Sequence, residues 1–271
     1  MNALIDCHTH IHQYNENEHK EIIKRALSAK VKIIVSAGTN INDSKKALLV
    51  SERNENVFAG IGIHPTELKK FEKDELNNLT KFSNHNKVIC ISEIGLDFQN
   101  DKTDKNLQIK AFISQIDIAN KNNLPVIFHI REKNDSFDGW DARKIGIEIL
   151  KENLMVKGVA HYFQGDWKYA KKLIDLGIYI SFAKPIIRIK ELEEIVKKIP
   201  NDMFVVETDS YPQTFKKNRN KWTEPYHLQQ IIKRISQLRK TNIEKISESS
   251  RRNSMEIFNN HKNQLEKILY K

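Results

Sequence analysis

Short runs of apolar residues punctuate the chain at intervals, and between them apolar positions return every three or four residues. The runs are ALIDCHTH (3–10), KIIVSA (32–37), VFAGIGIH (57–64), VICISEIG (88–95), PVIFHIR (125–131), KGVAHYF (157–163), YISFAK (179–184) and MFVVETD (203–209). Their length and their wealth of Val and Ile predict buried strands. Helical periodicity appears over 104–122, where Leu107, Ala111, Ile118 and Ala119 fall near one face, and over 167–176, 228–238 and 242–259. Strands that alternate with helices pair in parallel through right-handed crossovers, so the expected class is α/β. Eight such units predict one closed (β/α)8 barrel, a single TIM-barrel domain over 1–271. An open doubly wound sheet is the alternative. It usually has fewer strands, and its Gly-rich first turn, GxGxxG, is missing from this sequence.

With 271 residues the chain can bury a sizeable core, and 39% hydrophobic with 30% charged residues is ordinary for a soluble globular protein. The apolar runs are far shorter than the ~18–20 residues of a membrane span. The polar N-terminus contains no apolar signal segment. Cys7 and Cys90 each sit inside a predicted strand. They read as reduced thiols, and the expected location is the cytoplasm. The formal net charge is +10, and between Tyr211 and Arg252 eleven Lys/Arg face three Glu. That imbalance suits a polyanionic partner such as nucleic acid, or else reflects a general bias toward Lys.

The informative residues are the polar ones at the C-terminal ends of the runs, where a barrel gathers its chemistry. They are His8 and His10, His64, Glu93, His129 and Arg131, His161, and Glu207 with Asp209. A spacing of two puts both members of a pair on one strand face. Buried ionisable groups are costly unless they are paired or hold a metal. Mixed imidazole and carboxylate donors suit Zn, Mn, Fe or Co, and Mg where oxygen dominates. His12 falls beyond the strand and reads as a solvent or loop residue. Asp97 reads as a brace for the loop after the fourth strand, and Glu207 as structural. Arg131 either pairs with a carboxylate or offers its planar fork to phosphate. His64 is divided between substrate contact and loop support.

The motifs DCHTH (6–10), GIHP (62–65), SEIGLDF (92–98), PVIFHIR (125–131), AHYFQGD (160–166), YISFAKP (179–185) and VVETDS (205–210) occur in this order. Together they resemble the TatD family of metal-dependent deoxyribonucleases, within the amidohydrolase-like barrels. The resemblance runs from about residue 4 to about residue 260. It implies two divalent ions, Mg or Mn, with Zn possible. His8, His10 and Asp209 would hold one ion, His129 and His161 the other, and Glu93 would bridge them. It also implies a DNase, often a 3′→5′ exonuclease on single-stranded DNA, with a role in DNA repair and degradation; the oligomeric state is not read from the sequence, and a monomer is favoured. Asp209 and Glu93 are the expected catalytic carboxylates, Asp209 as general base. His64, Arg131 and Tyr162 are expected to contact substrate. Tyr211, Tyr162 and Trp222 are candidates for base stacking or for ordinary loop packing. The chain departs from the family pattern at Thr66, Tyr162, Tyr211 and Trp222, in loops and not at ligands. The main alternative is an amidohydrolase-type amidase or lactonase acting on a small molecule. Many of those bridge their metals with a modified lysine at the end of the fourth strand, where this chain has Glu93. A phosphatase with an N-terminal HxH, and a barrel that kept its site but lost turnover, are weaker rivals.

Overall fold

Each predicted run forms a strand in the computed structural model, which describes residues 2–68, 73–99 and 103–271. The strands are β1 (Leu4–Thr9), β2 (Val31–Ala37), β3 (Val57–Ile61), β4 (Val88–Asp97), β5 (Val126–Arg131), β6 (Gly158–Ala160), β7 (Tyr179–Phe182) and β8 (Phe204–Val206). They lie in one sheet in the order of the sequence, every neighbouring pair parallel. The helices among the described residues are α1 (Glu16–Ser28), α2 (Ile41–Arg53), α3 (Lys73–Ser83), α4 (Lys105–Asn122), α5 (Asp141–Asn153), α6 (Trp167–Asp175), α7 (Leu192–Lys198), α8 (Leu228–Arg239), α9 (Ile243–Ile257) and α10 (Lys262–Leu269). No helix is long and apolar enough to cross a membrane.

The sheet curls into a nearly closed barrel, and the seam between β8 and β1 is made without a regular ladder. Two backbone bonds bridge it at the C-terminal end: Asp209 N donates to His8 O (3.0 Å) and His10 N to Ser210 O (2.7 Å). Below them the carboxylate of Asp6 takes the place of a strand edge. Its Oδ1 accepts from Thr208 N at 2.8 Å and its Oδ2 from Thr208 Oγ1 at 2.6 Å. From outside, α9 covers the joint. Asn253 Nδ2 donates to the carbonyls of Asn201 and Phe204, and Ser254 Oγ meets Cys7 Sγ.

The apolar side chains form an inner and an outer set. Ile127 shares a strand face with His129, Val159 with His161, and Val205 with Glu207, because side chains alternate along a strand. These three belong to a cluster with Ile5, Ile33 and Phe58 that fills the barrel beneath the polar site. Phe258, Leu265 and Leu269 join the same cluster. The α10 segment therefore closes the end opposite the site. The predicted final helix ends at about 259; α10 lies beyond it, short enough to escape the periodicity.

Strand lengths differ from prediction where the polar residues begin. β3, β6 and β8 stop before His64, His161 and Asp209, and their chains turn toward the barrel axis. β4 runs on to Asp97, because Leu96 and Asp97 still pair with Ile130 and Arg131. Helix α4 supports two of these strand ends with buried amides one heptad apart. Gln115 Oε1 accepts from Ile63 N (2.7 Å) and its Nε2 donates to Ile63 O (3.2 Å). Gln108 Oε1 accepts from Asp97 N (2.7 Å) and its Nε2 donates to Asp97 O (2.9 Å). Each side chain thus acts as a short piece of neighbouring strand. Gln115→Leu leaves the Ile63 peptide buried and unpaired, a cost of about 1–3 kcal/mol. Denaturant titration should show that loss, and Gln115→Glu should recover only the bond accepted from Ile63 N.

Candidate metal centre

Six strands, β1, β3, β4, β5, β6 and β8, deliver their polar ends to one point at the C-terminal mouth. Glu93, 5% exposed, lies at the middle. Its Oε2 faces His8 Nε2 (3.6 Å) and His10 Nε2 (3.7 Å). Its Oε1 faces His129 Nδ1 (3.3 Å), His161 Nε2 (3.4 Å) and His64 Nε2 (3.5 Å). Asp209 Oδ1 approaches His10 Nε2 at 3.4 Å and His8 Nε2 at 4.0 Å. Among the described residues three donor groupings are compact enough for an ion: His8, His10 and Asp209; His8, Glu93 and His161; and His64, Glu93 and His129.

The far side of each imidazole is occupied, which aims the near nitrogen inward. His10 Nδ1 donates to Ala37 O at 2.7 Å. His129 Nε2 lies 2.9 Å from Asp97 Oδ2, and His161 Nδ1 lies 2.7 Å from Glu207 Oε1. His8 Nδ1 is 3.3 Å from Ser92 Oγ. This leaves the Nε2 lone pairs of His8 and His10 facing each other at 3.3 Å beside two carboxylates. Two lone pairs so placed repel unless a cation or proton lies between them. Donors bound ~2.1 Å from one ion are separated by about this distance. The residues therefore fit a divalent metal. His64 differs. Thr66 N donates to its Nδ1 (3.2 Å) and Thr66 Oγ1 lies 2.7 Å from that same atom. The proton of neutral His64 then sits on Nε2, so His64 presents an N–H, not a lone pair.

Electrostatics follow this geometry. Burial alone would push Glu93 up, but His64, His161 and His129 outweigh it and hold its pKa well below the usual carboxylate value. Asp209 is likewise lowered, its burial outweighed by His10, His161 and His8, so it stays ionised at neutral pH. Burial and the adjacent His161 lower His8. Burial also opposes charge on His161, yet Glu207, Glu93 and Asp209 raise it to about 10. A proton must therefore leave His161 when a metal binds there.

Several residues support the centre. Glu207, fully buried, holds His161, accepts from Tyr162 N (2.7 Å) and takes the hydroxyl of Ser181 (2.6 Å). That is the structural part expected of it. Asp209 adopts φ +49°, a left-handed conformation that Asp tolerates, and the seam bonds hold it there. Asp97 braces the loop after β4 as expected, its Oδ1 accepting from Gln99 N at 2.9 Å, and it also does more. It is part of β4, and its carboxylate reaches His129 because Asp97 and Arg131 are paired across the strands. Outer partners of this kind typically tune metal affinity by 10–100-fold. Asp97→Asn should weaken metal binding by about that factor with little change in fold, which isothermal titration with Mn²⁺ and a thermal melt would show together. His12 lies beyond the strand as expected and serves the loop, but it is not in solvent. It is buried, with Nδ1 2.8 Å from Ser36 Oγ and Nε2 3.0 Å from Asp43 Oδ2, and it braces the turn after His10.

The mouth is a cavity of about 640 Å³ lined by His10, Glu93, His129, Arg131, His161, Tyr162 and Asp209 among others. Arg131 reaches it with its guanidinium already paired to Asp135. Tyr162 and Tyr211 line it too, but Trp222 does not. Trp222 packs against Tyr14 and beneath the Arg219 guanidinium, on an outer groove. The basic stretch after β8 is not one continuous surface either. Arg219 pairs with Glu18 and Glu224, Arg234 with Glu193, and Arg251 with Glu248. Two supports escaped sequence reading. Glu132 accepts from Asp141 N, Ala142 N and Arg143 N at the start of α5. Buried Arg143 gathers the carbonyls of Ser136, Phe137, Gly139 and Gln164. Together they fasten the β5–α5 loop at the rim. Glu132 directly follows β5 and Arg143 lies in the first turn of α5, positions where a charged residue gives no local sign of burial.

Residues 5–259 match the model of the family described as TatD related DNase. The chain belongs to the TatD family. It is a metal-dependent hydrolase of that nuclease family, with buried His, Glu and Asp groups able to bind metal. Among TatD relatives, it is 32% identical over 264 residues to the uncharacterized metal-dependent hydrolase YabD of Bacillus subtilis, covering 94% of this chain and 98% of that one. It is 27% identical over 227 residues to the 3′-5′ ssDNA/RNA exonuclease TatD of Salmonella typhimurium, covering 80% and 83%. The fold matches the crystal structure of YjjV, a TatD homologue from Escherichia coli, with a TM-score of 0.83 at 23% identity, covering 94% and 98%.

Proposed function

We propose that this protein hydrolyses phosphodiester bonds in nucleic acid, preferring single-stranded DNA and working from the 3′ end. The observation that carries the reading is the position of Glu93, one oxygen toward His8 and His10 and the other toward His129, His161 and His64. A carboxylate shared in this way suits a bridge between two divalent ions, Mg²⁺ or Mn²⁺, with Zn²⁺ as the softer option. His8, His10 and Asp209 would hold one ion, and His129 and His161 the other. Ions held there would supply a water of lowered pKa and neutralisation of the charge on a phosphodiester's oxygens. The Salmonella relative, named an exonuclease on ssDNA and RNA, supports the choice of substrate.

The chain's own groups would then do the following. Asp209 has the more open carboxylate, its side chain 18% exposed against 7% for Glu93, so it is the proposed base toward the substrate side. Its lowered pKa keeps it in the carboxylate form that a base requires. Glu93 stays buried and fixes the two halves of the centre. The Nε2–H of His64 would donate to a phosphate oxygen, and Arg131 and Tyr162 would border the strand at the rim.

The test is a chelator-stripped enzyme given Mg²⁺ or Mn²⁺ with single-stranded DNA labelled at either end, beside His129→Ala. Cleavage restored by metal, absent in the variant and losing the 3′ label first, is the expected result. A protein that binds two ions yet cleaves neither DNA nor RNA would overturn the reading and favour a small ester, amide or lactone.

A further inference from the structure

Three cations line the β7–β8 side of the mouth. Lys184 follows β7, Arg188 ends the short turn after it, and Lys216 lies in the loop between β8 and α8. Among the described residues none of the three has a carboxylate within ion-pair distance. Lys184 Nζ reaches only Thr223 Oγ1 (3.3 Å), and Lys216 Nζ meets Gln213 Oε1 (2.6 Å) and the Lys221 carbonyl (3.3 Å). This sets them apart from Arg219, Arg234 and Arg251, each matched to an acid. They also feel one another. Burial, then Lys216 and Arg188, lower the pKa of Lys184; burial, then Arg188, lower that of Lys216. Like charges gathered without a counter-charge are unfavourable unless an anion is received there.

The surroundings indicate which anion. Phe215, 71% exposed, stands beside Lys216 on the cavity wall, and Tyr162 and Tyr211 line the same cavity. Cations along a groove with open aromatic faces form the combination that binds single strands, one holding phosphates and the other stacking bases. The cavity is also larger than one phosphate group needs.

We propose that Lys184, Arg188 and Lys216 form a second phosphate subsite, which holds the phosphate next to the scissile one and directs the strand over the β7–β8 side of the mouth. The assignment rests on the reading of the metal centre as a phosphodiester hydrolase. It makes the preferred substrate a strand with at least two phosphates, with Phe215 as the stacking face for an intervening base.

The experiment measures binding of a fluorescein-labelled oligothymidylate to the full chain in chelator, across a salt series. The triple variant Lys184→Gln/Arg188→Gln/Lys216→Gln is compared with Lys24→Gln/Lys45→Gln/Lys46→Gln, which removes the same charge from exposed positions of α1 and α2. The mouth variant should bind at least ~10-fold more weakly at low salt, with a log–log salt slope shallower by about 0.7 or more. The control should stay close to the parent. With metal restored, hydrolysis of bis(p-nitrophenyl) phosphate, which has a single phosphate, should be unchanged in the mouth variant. Equal loss in both variants, no loss in the mouth variant, no binding by the parent, or a matching loss on bis(p-nitrophenyl) phosphate would each overturn the subsite. The two readings fail separately. A parent that binds strands through the triad but cleaves none upholds the subsite and removes the nuclease. Cleavage with binding indifferent to the triad does the reverse.

Discussion

Glu93→Gln abolishes metal-dependent hydrolysis while the barrel still forms. The carboxylate stands between two imidazole groups, within 3.3 to 3.7 Å of five ring nitrogens. An amide in that place keeps the volume but loses the anion, and its NH₂ would point a donor at one of the two groups of rings: at His8 and His10, or at His129, His161 and the N–H of His64. The loss of turnover should exceed ~100-fold, the upper end of what an outer-sphere partner costs. Metal stoichiometry, measured by equilibrium dialysis with Mn²⁺, should fall as well. Two bound ions and ordinary turnover in this variant would remove Glu93 from the centre. Without metal the same change destabilises the protein, because His161 and His129 draw much of their charge stabilisation from Glu93. Removing one member of a buried charged pair costs about 3–5 kcal/mol.

Gly95→Ala should be the most damaging change outside the cluster of donors. Gly95 has φ +140°, a conformation that side chains rarely adopt, and an added Cβ would lie 1.9 Å from the carbonyl oxygen of His129. Backbone cannot move away there without shifting β5, since Gly95 and His129 are paired in the ladder. The cost is expected at about 3–5 kcal/mol, near the top of single-residue effects. For a chain of this size that lowers Tm by about 5–10 °C. Any folded remainder should bind metal poorly, because His129 is the residue displaced. A melt unchanged from the parent, with normal metal affinity, would show that the strands have slack at this point.

The alternation of strands and helices was readable because it rests on the chain's strongest signal, apolar runs of strand length separated by helical periods. The clustering of His8, His10, Glu93, His129, His161 and Asp209 was readable for a related reason, since each is a polar residue ending an apolar run. What was not readable depends on pairs far apart in the chain. Nothing local in Asp97 indicates that β4 extends far enough to bring it to His129. His12 falls after the strand in sequence yet is buried, because Ser36 of β2 and Asp43 of α2 meet it there. Gln108 and Gln115 look like surface residues of a helix until Asp97 and Ile63 turn out to need partners. Charge was the weakest guide. Within the basic stretch 211–252, Arg219, Arg234 and Arg251 are matched to acids of the fold, and the cations that face the mouth include Lys184 and Arg188, from outside it.

The seam between β8 and β1 sets the order in which this enzyme becomes one. His8 and His10 leave the ribosome early, at the end of β1, and Asp209 last among the donors, just after β8. Six strands must be laid down between β1 and β8, and the bonds from Thr208 to Asp6 wait for them. A nascent chain stopped short of β8 therefore has histidines but lacks the carboxylate that completes their side of the centre. Assembly of the whole cluster therefore waits for ring closure, which makes the last strand of the barrel also the last step in building the site.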